Sequence, residues 1–174
     1  MIGAGNIELN RINLPNLESF TLQTGGLTAE NMESILSAYW PKLQSLEIWF
    51  GDKDYGATVD IDQLEPIFEG HNLSNLKKLC LMNATFTNQV VTKLATSKIL
   101  PQIEHLDLSK GCMTQAVLTT LITHKEAFIN LKSFIVAENS LDQATVETLK
   151  SLFPFMVTGE QKNPNSELYV SVGE

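Results

Sequence analysis

Apolar positions recur along this chain in a fixed pattern. Leu17, Phe20, Leu22 and Leu27 stand at offsets 0, 3, 5 and 10, with Gly25 at offset 8. The same offsets hold for Leu76, Leu79, Leu81, Ala84 and Phe86, for Ile103, Leu106, Leu108, Gly111 and Met113, and for Leu131, Phe134, Val136, Asn139 and Leu141. A fifth copy begins at Leu43, Leu46 and Ile48 and then breaks into Gly51-Asp52-Lys53-Asp54-Tyr55-Gly56. In the first part of each copy, apolar residues alternate with polar ones, which predicts a short strand with one buried face. Behind it the period changes to that of a helix. Met32, Ile35, Leu36 and Tyr39 predict a helix over 29–39, Val90, Val91 and Leu94 one over 88–97, Val117, Leu118, Leu121 and Ile122 one over 115–125, and Val146, Leu149 and Phe153 one over 143–153.

The first positions, 17, 43, 76, 103 and 131, are 26, 33, 27 and 28 residues apart. Three of these spacings fall within the roughly 20–29 residues of leucine-rich repeats, and the long one contains the 51–60 insertion. The expected architecture is α/β: a ribonuclease-inhibitor-like leucine-rich repeat solenoid over 1–174, with a parallel sheet on the concave side and helices on the convex side. The repeats start near 17, 43, 76, 103 and 131, and Glu167–Val172 alternates as a terminal edge strand. Ile7-Glu8-Leu9 reads as a further short strand, and the polar segment Gly159–Ser166 as a mobile loop. Thr28, Thr87, Thr114 and Asp142 precede helices as caps, and Asp62 with Glu65 reads as a capping box. No N-terminal cap for a solenoid core is legible before Leu17, so the chain is expected to be the C-terminal part of a longer protein.

Several segments resemble an uncharacterised bacterial family of ribonuclease-inhibitor-like leucine-rich repeat proteins. They are Leu22-Gln23-Thr24-Gly25-Gly26-Leu27, the run from Leu46 to Gly56, Leu106-Asp107-Leu108-Ser109-Lys110-Gly111 and the ending Tyr169-Val170-Ser171-Val172-Gly173-Glu174. The resemblance covers nearly the whole chain. Its most specific parts are the Trp-x-Gly-Asp-x-x-Tyr-Gly insertion and the Val-Gly-Glu end. It implies the same fold, with more repeats toward the N-terminus. The family has no established activity, so the resemblance leaves function open.

Composition narrows the function classes. Of 174 residues, 43% are hydrophobic and 18% charged, as in an ordinary globular domain. A net charge of −8 and a pI near 4.9 repel phosphate backbones, so nucleic acid is a poor partner. The N-terminus lacks the basic and apolar regions of a signal peptide, and no run is long enough for a membrane span; the expected location is cytoplasmic. Cys80 and Cys112 make neither a CxxC pair nor a zinc spacing, and read as free thiols.

Residues between the repeat leucines should line the concave sheet. They are Ser19, Thr21 and Gln23; Ser45, Glu47 and Trp49; Lys78, Cys80 and Met82; His105, Asp107 and Ser109; Ser133, Ile135 and Ala137; and, on the terminal strand, Tyr169 and Ser171. Glu47, Trp49, Tyr55, Met82, His105 and Asp107 are the candidate protein-binding residues. An exposed Trp49 near Met82 would anchor a partner; covered by the insertion, it would only pack. His105, Asp107 and Ser109 suggest a catalytic relay, but alternate residues of one strand stand roughly 7 Å apart, too far for hydrogen-bonded catalysis. Asp52–Gly56 partly mimics a calcium loop, yet its twelfth position is Gln63, where an acidic ligand is needed. His71 and His124 stand alone, and no phosphate loop or nucleophile elbow occurs.

The expected function is a non-catalytic scaffold for a protein partner, with no cofactor and no metal. The alternative is an enzyme or ligand-binding protein whose site is completed by N-terminal repeats absent from this chain. Self-association through exposed solenoid ends is a third expectation.

Overall fold

The computed structural model describes residues 8–170. Six strands form one parallel sheet in sequence order: β1 (Ser19–Leu22), β2 (Ser45–Trp49), β3 (Lys78–Met82), β4 (His105–Asp107), β5 (Ser133–Ile135) and β6 (Met156–Val157). Helices lie between them: α1 (Ala29–Leu36), α2 (Glu65–Phe68), α3 (Thr87–Leu94), α4 (Val117–Thr123), α5 (Lys125–Phe128) and α6 (Gln143–Leu152). Parallel neighbours cannot be joined by tight turns, so each crossover carries helical or 3-10 structure back to the start of the next strand.

Register follows the apolar pattern. Phe20, Leu46, Leu79, Leu106, Phe134 and Met156 are paired in one row across the sheet. The row faces the helices, and its members in β2–β5 are at most 1% exposed. Met32, Ile35, Val90, Val91, Leu94, Val117, Leu121 and Leu149 pack into the same core from the helix side. A one-residue slip would turn every one of these side chains to the other face, so the burial itself holds the register.

Each turn leaving β3, β4 and β5 holds a non-glycine residue at positive φ: Asn83 at 58°, Lys110 at 64° and Glu138 at 54°. Just beyond, Asn139 lies fully buried and binds across units. Its Nδ2 donates to the Leu108 carbonyl at 2.9 Å and the Val136 carbonyl at 3.1 Å, and its Oδ1 accepts from the Met113 N–H at 2.8 Å. These backbone groups lie where no strand ladder can satisfy them, so the side chain takes the ladder's place.

The helix starts differ in part from expectation. Thr28 and Asp142 cap as expected, accepting from Asn31 N–H and Thr145 N–H. The capping box is Asp60 with Gln63, not Asp62 with Glu65, because a 3-10 turn at Ile61–Leu64 precedes α2. Thr87 lies inside α3 and donates its hydroxyl to the Ala84 carbonyl. Thr114 stands three residues before α4 and bonds Asn88 of the preceding unit.

Three further expectations change. The last strand is Met156–Val157, directly after α6, and not 167–172. Glu167–Val170 carry no strand, and 171–172 lie outside the described residues. Glu8 and Leu9 are not a strand, and Ile7 lies outside the described residues. The polar segment 159–166 is tied to the turn after β5 through residues 160–162. Glu138 N–H donates to the Glu160 carbonyl, Lys162 N–H to the Asn139 carbonyl, and Gln161 Nε2 to the Val136 carbonyl.

Candidate binding face

The face of the sheet away from the helices carries three rows of side chains. The first is Ser19, Ser45, Lys78, His105 and Ser133; the second is Thr21, Glu47, Cys80, Asp107, Ile135 and Val157. In the third, Trp49 pairs with Met82. The structure thus brings Glu47, Trp49, Met82, His105 and Asp107 onto one surface.

Their exposure is uneven. His105 is open to solvent, and Glu47, Trp49 and Asp107 are half-buried. Met82 is only 8% exposed and Cys80 1%. Strand alternation correctly assigned these two to the outward face but overstated how open they are. Burial pushes the Cys80 thiol up to about 12; Lys78 opposes this, and Asp107 and Glu47 add to it. At neutral pH the thiol is protonated and a poor nucleophile.

Trp49 is held by polar contacts from both sides. Its indole N–H donates to Glu47 Oε1 at 3.0 Å, and Gln23 Nε2 donates to the same oxygen at 3.1 Å. The Lys110 ammonium lies 5.7 Å from the centroid of the indole ring, within cation–π range. Lys110 also forms an ion pair with Glu138, 2.7 Å away. Lys110 therefore links the Trp49 end of the face to β5. Sequence reasoning did not single it out. Its one signal was its place directly after a strand, where the chain turns.

Tyr55 falls elsewhere. The insertion begins at Gly51, whose φ is 82°, and folds back on the turn after β1. Asp52 N–H donates to the Gly25 carbonyl and Thr58 N–H to the Leu27 carbonyl. A Cβ on Gly26 would stand 2.0 Å from the Tyr55 carbonyl, so that glycine admits the loop. The Tyr55 side chain is 56% exposed. Asp52 Oδ1 accepts from Asp54 N–H, capping a 3-10 turn at Lys53–Tyr55.

Asp107 Oδ1 accepts from the Ser109 backbone N–H at 2.9 Å, a local turn contact, and the Ser109 side chain is buried. One residue before the strands, Glu104 lies between Lys132, at 2.6 Å, and Lys77, at 3.8 Å. The hydrogen bond from Lys132 is the main cause holding its carboxyl below the usual range. Two grooves lie away from the outward rows. One, of about 520 Å³, runs between Glu33, Leu36, Pro66 and His71; the other, of about 660 Å³, lies between the start of α6 and residues 159–164.

No protein-family profile matches the chain, and no curated protein does. A crystal structure of a protein from Bacteroides fragilis is similar over 91% of this chain, at 29% identity and a TM-score of 0.82. This chain spans 45% of that protein's length. Among the described residues, no helix is long and apolar enough to cross a membrane.

Proposed function

We propose that this chain is part of a leucine-rich repeat solenoid of the ribonuclease-inhibitor-like kind, and that its outward sheet face is a concave, non-catalytic surface for a protein partner. A bacterial, cytoplasmic setting belongs to the same reading, and nucleic acid does not fit as a partner. One observation carries it: the outward rows run unbroken across the strands, with half-buried Trp49 at one side and His105, Asp107 and Glu47 beside it. Such a broad surface with one aromatic anchor suits a protein partner better than a small molecule, which needs an enclosing cavity. Both grooves described above draw their linings from other parts of the chain. The test is a photo-crosslinking amino acid placed at His105, at Trp49 or at Ile122 on α4. In a Bacteroides cell extract the first two should give a discrete protein adduct and Ile122 none. An adduct at Ile122 alone contradicts the reading.

A second reading, self-association through the β1 edge, has its own observation. Phe20 and Leu22 of β1 are only half-buried, whereas their partners Leu46 and Ile48 are at most 1% exposed. Light scattering over a concentration series tests it, with a constant monomer mass as the contrary result.

A further inference from the structure

The segment after β6 doubles back over the ends of earlier strands, and one lysine ties it there. Residues 160–162 are stitched to the turn after β5 by Glu138 N–H to the Glu160 carbonyl, Lys162 N–H to the Asn139 carbonyl and Leu141 N–H to Gln161 Oε1. The Lys162 side chain then reaches one unit further. Its ammonium donates to the carbonyls of Lys110 and Gly111, both at 3.0 Å, and to that of Tyr169 at 2.6 Å. The Tyr169 ring also lies 4.7 Å from the ammonium. All three donors of the ammonium are thus engaged, two with the sheet end and one with the returning chain. From Asn163 to Tyr169 every residue is exposed, and Val170, 3% exposed, is the one buried apolar side chain between 160 and 170.

Cys112 follows Gly111 in the same turn and is near enough to Lys162 for that charge to act on it; the residue is 3% exposed although it stands outside the hydrophobic core. Few buried contacts and many exposed backbone groups mark segments that open on their own, well below the free energy of global unfolding.

We propose that residues 160–170 form a strap that opens and closes over the β4–β5 end of the sheet independently of the rest of the fold, with Lys162 as its latch. Opening bares the Lys110 and Gly111 carbonyls directly beside the Lys110–Trp49 contact. The proposal does not depend on what binds the outward face.

Two cysteines supply the test. In the full, reduced chain under native conditions, alkylation by iodoacetamide is followed at each cysteine by mass spectrometry. Hydrogen bonds from a charged donor are stronger than neutral ones, so Lys162→Met should raise the rate at Cys112 by about tenfold or more. Cys80, buried within the sheet, should keep its rate. Tyr169→Ala, which keeps the carbonyl but removes the ring, should give a smaller rise. A Cys112 rate within twofold of the parent overturns the proposal. So does a parallel rise at Cys80, which would mean that the segment opens only when the whole chain unfolds. Hydrogen exchange on the unaltered chain provides a check independent of the variants. The Lys162 and Ser166 amides should exchange well before those of Leu108 and Val136, and equal rates would likewise overturn the proposal.

Discussion

The indole N–H of Trp49 donates to the carboxylate of Glu47 at 3.0 Å, two residues earlier on the same strand and face. The Lys110 ammonium lies over the ring of the same indole, 5.7 Å from its centroid. Trp40, the other tryptophan, is 2% exposed and donates to the Ile35 carbonyl. Acrylamide quenching should therefore resolve two populations. Trp49→Phe should remove the quenchable one, and Glu47→Ala should make it more quenchable. Because the contact is partly solvated, Glu47→Ala should cost no more than about 1 kcal/mol in denaturant unfolding. A single inaccessible population in the parent chain would count against the placement of Trp49.

The inward row is a packed core. Leu106 is 1% exposed and is paired with Leu79 and Phe134. Leu106→Ala should destabilise the chain by about 2–5 kcal/mol. Gly111→Ala should also be costly, by about 1–3 kcal/mol. The new methyl would meet Thr87 Oγ1 at 2.1 Å and the Ala84 carbonyl at 2.9 Å. Urea unfolding of both variants checks this, and a loss below about half a kcal/mol at Leu106 would put the register in question.

Asn139 stabilises the stack by a different route. Asn139→Leu keeps similar volume but leaves the Leu108 carbonyl and the Met113 N–H without their side-chain partner, while the Val136 carbonyl keeps Gln161. Each buried group left unpaired costs about 1–3 kcal/mol. The variant should therefore unfold at clearly lower urea than a variant at an exposed position such as Asn163. Equal midpoints would show that water replaces these bonds.

Alkali should weaken the fold through Cys80. Its thiol ionises near 12 when folded and near the ordinary 8.5 or so when unfolded. The folded chain thus holds the proton more tightly, so this contribution is complete below about pH 8.5 and is lost as pH rises toward 12. Stability measured from pH 8 to 11 should fall less steeply in Cys80→Ala than in the parent. Parallel slopes would contradict the assignment.

Much of this was legible in the primary structure because strand alternation reports directly on which face a residue takes. The row Phe20, Leu46, Leu79, Leu106 and Phe134 follows from that rule alone. Alternation does not report how much covers a face, so Met82 and Cys80 read as open when they are buried. The last strand was missed because Met156–Val157 is too short to alternate visibly and follows Pro154. Glu167–Val170 alternates well, but the Tyr169 carbonyl is engaged by Lys162 and no ladder forms. Polarity suggested a loose loop at 159–166, because composition cannot show that Lys162 finds three carbonyls folded around it. Lys110 was passed over for the same reason: its two contacts come from β2 and the turn after β5, which only the fold brings together.

The claim that the outward face binds a protein is tested most directly by affinity measurements on the partner recovered by crosslinking. Titration calorimetry should compare the parent chain with Trp49→Ala, His105→Ala, Asp107→Ala and, from the helix side, Ile122→Ala. An aromatic anchor is worth about 2 kcal/mol or more, so Trp49→Ala should weaken binding by about 30-fold. His105→Ala and Asp107→Ala should each weaken it measurably, and Ile122→Ala should leave it within twofold. Unchanged affinity in the three outward-face variants, with loss at Ile122, would contradict the account.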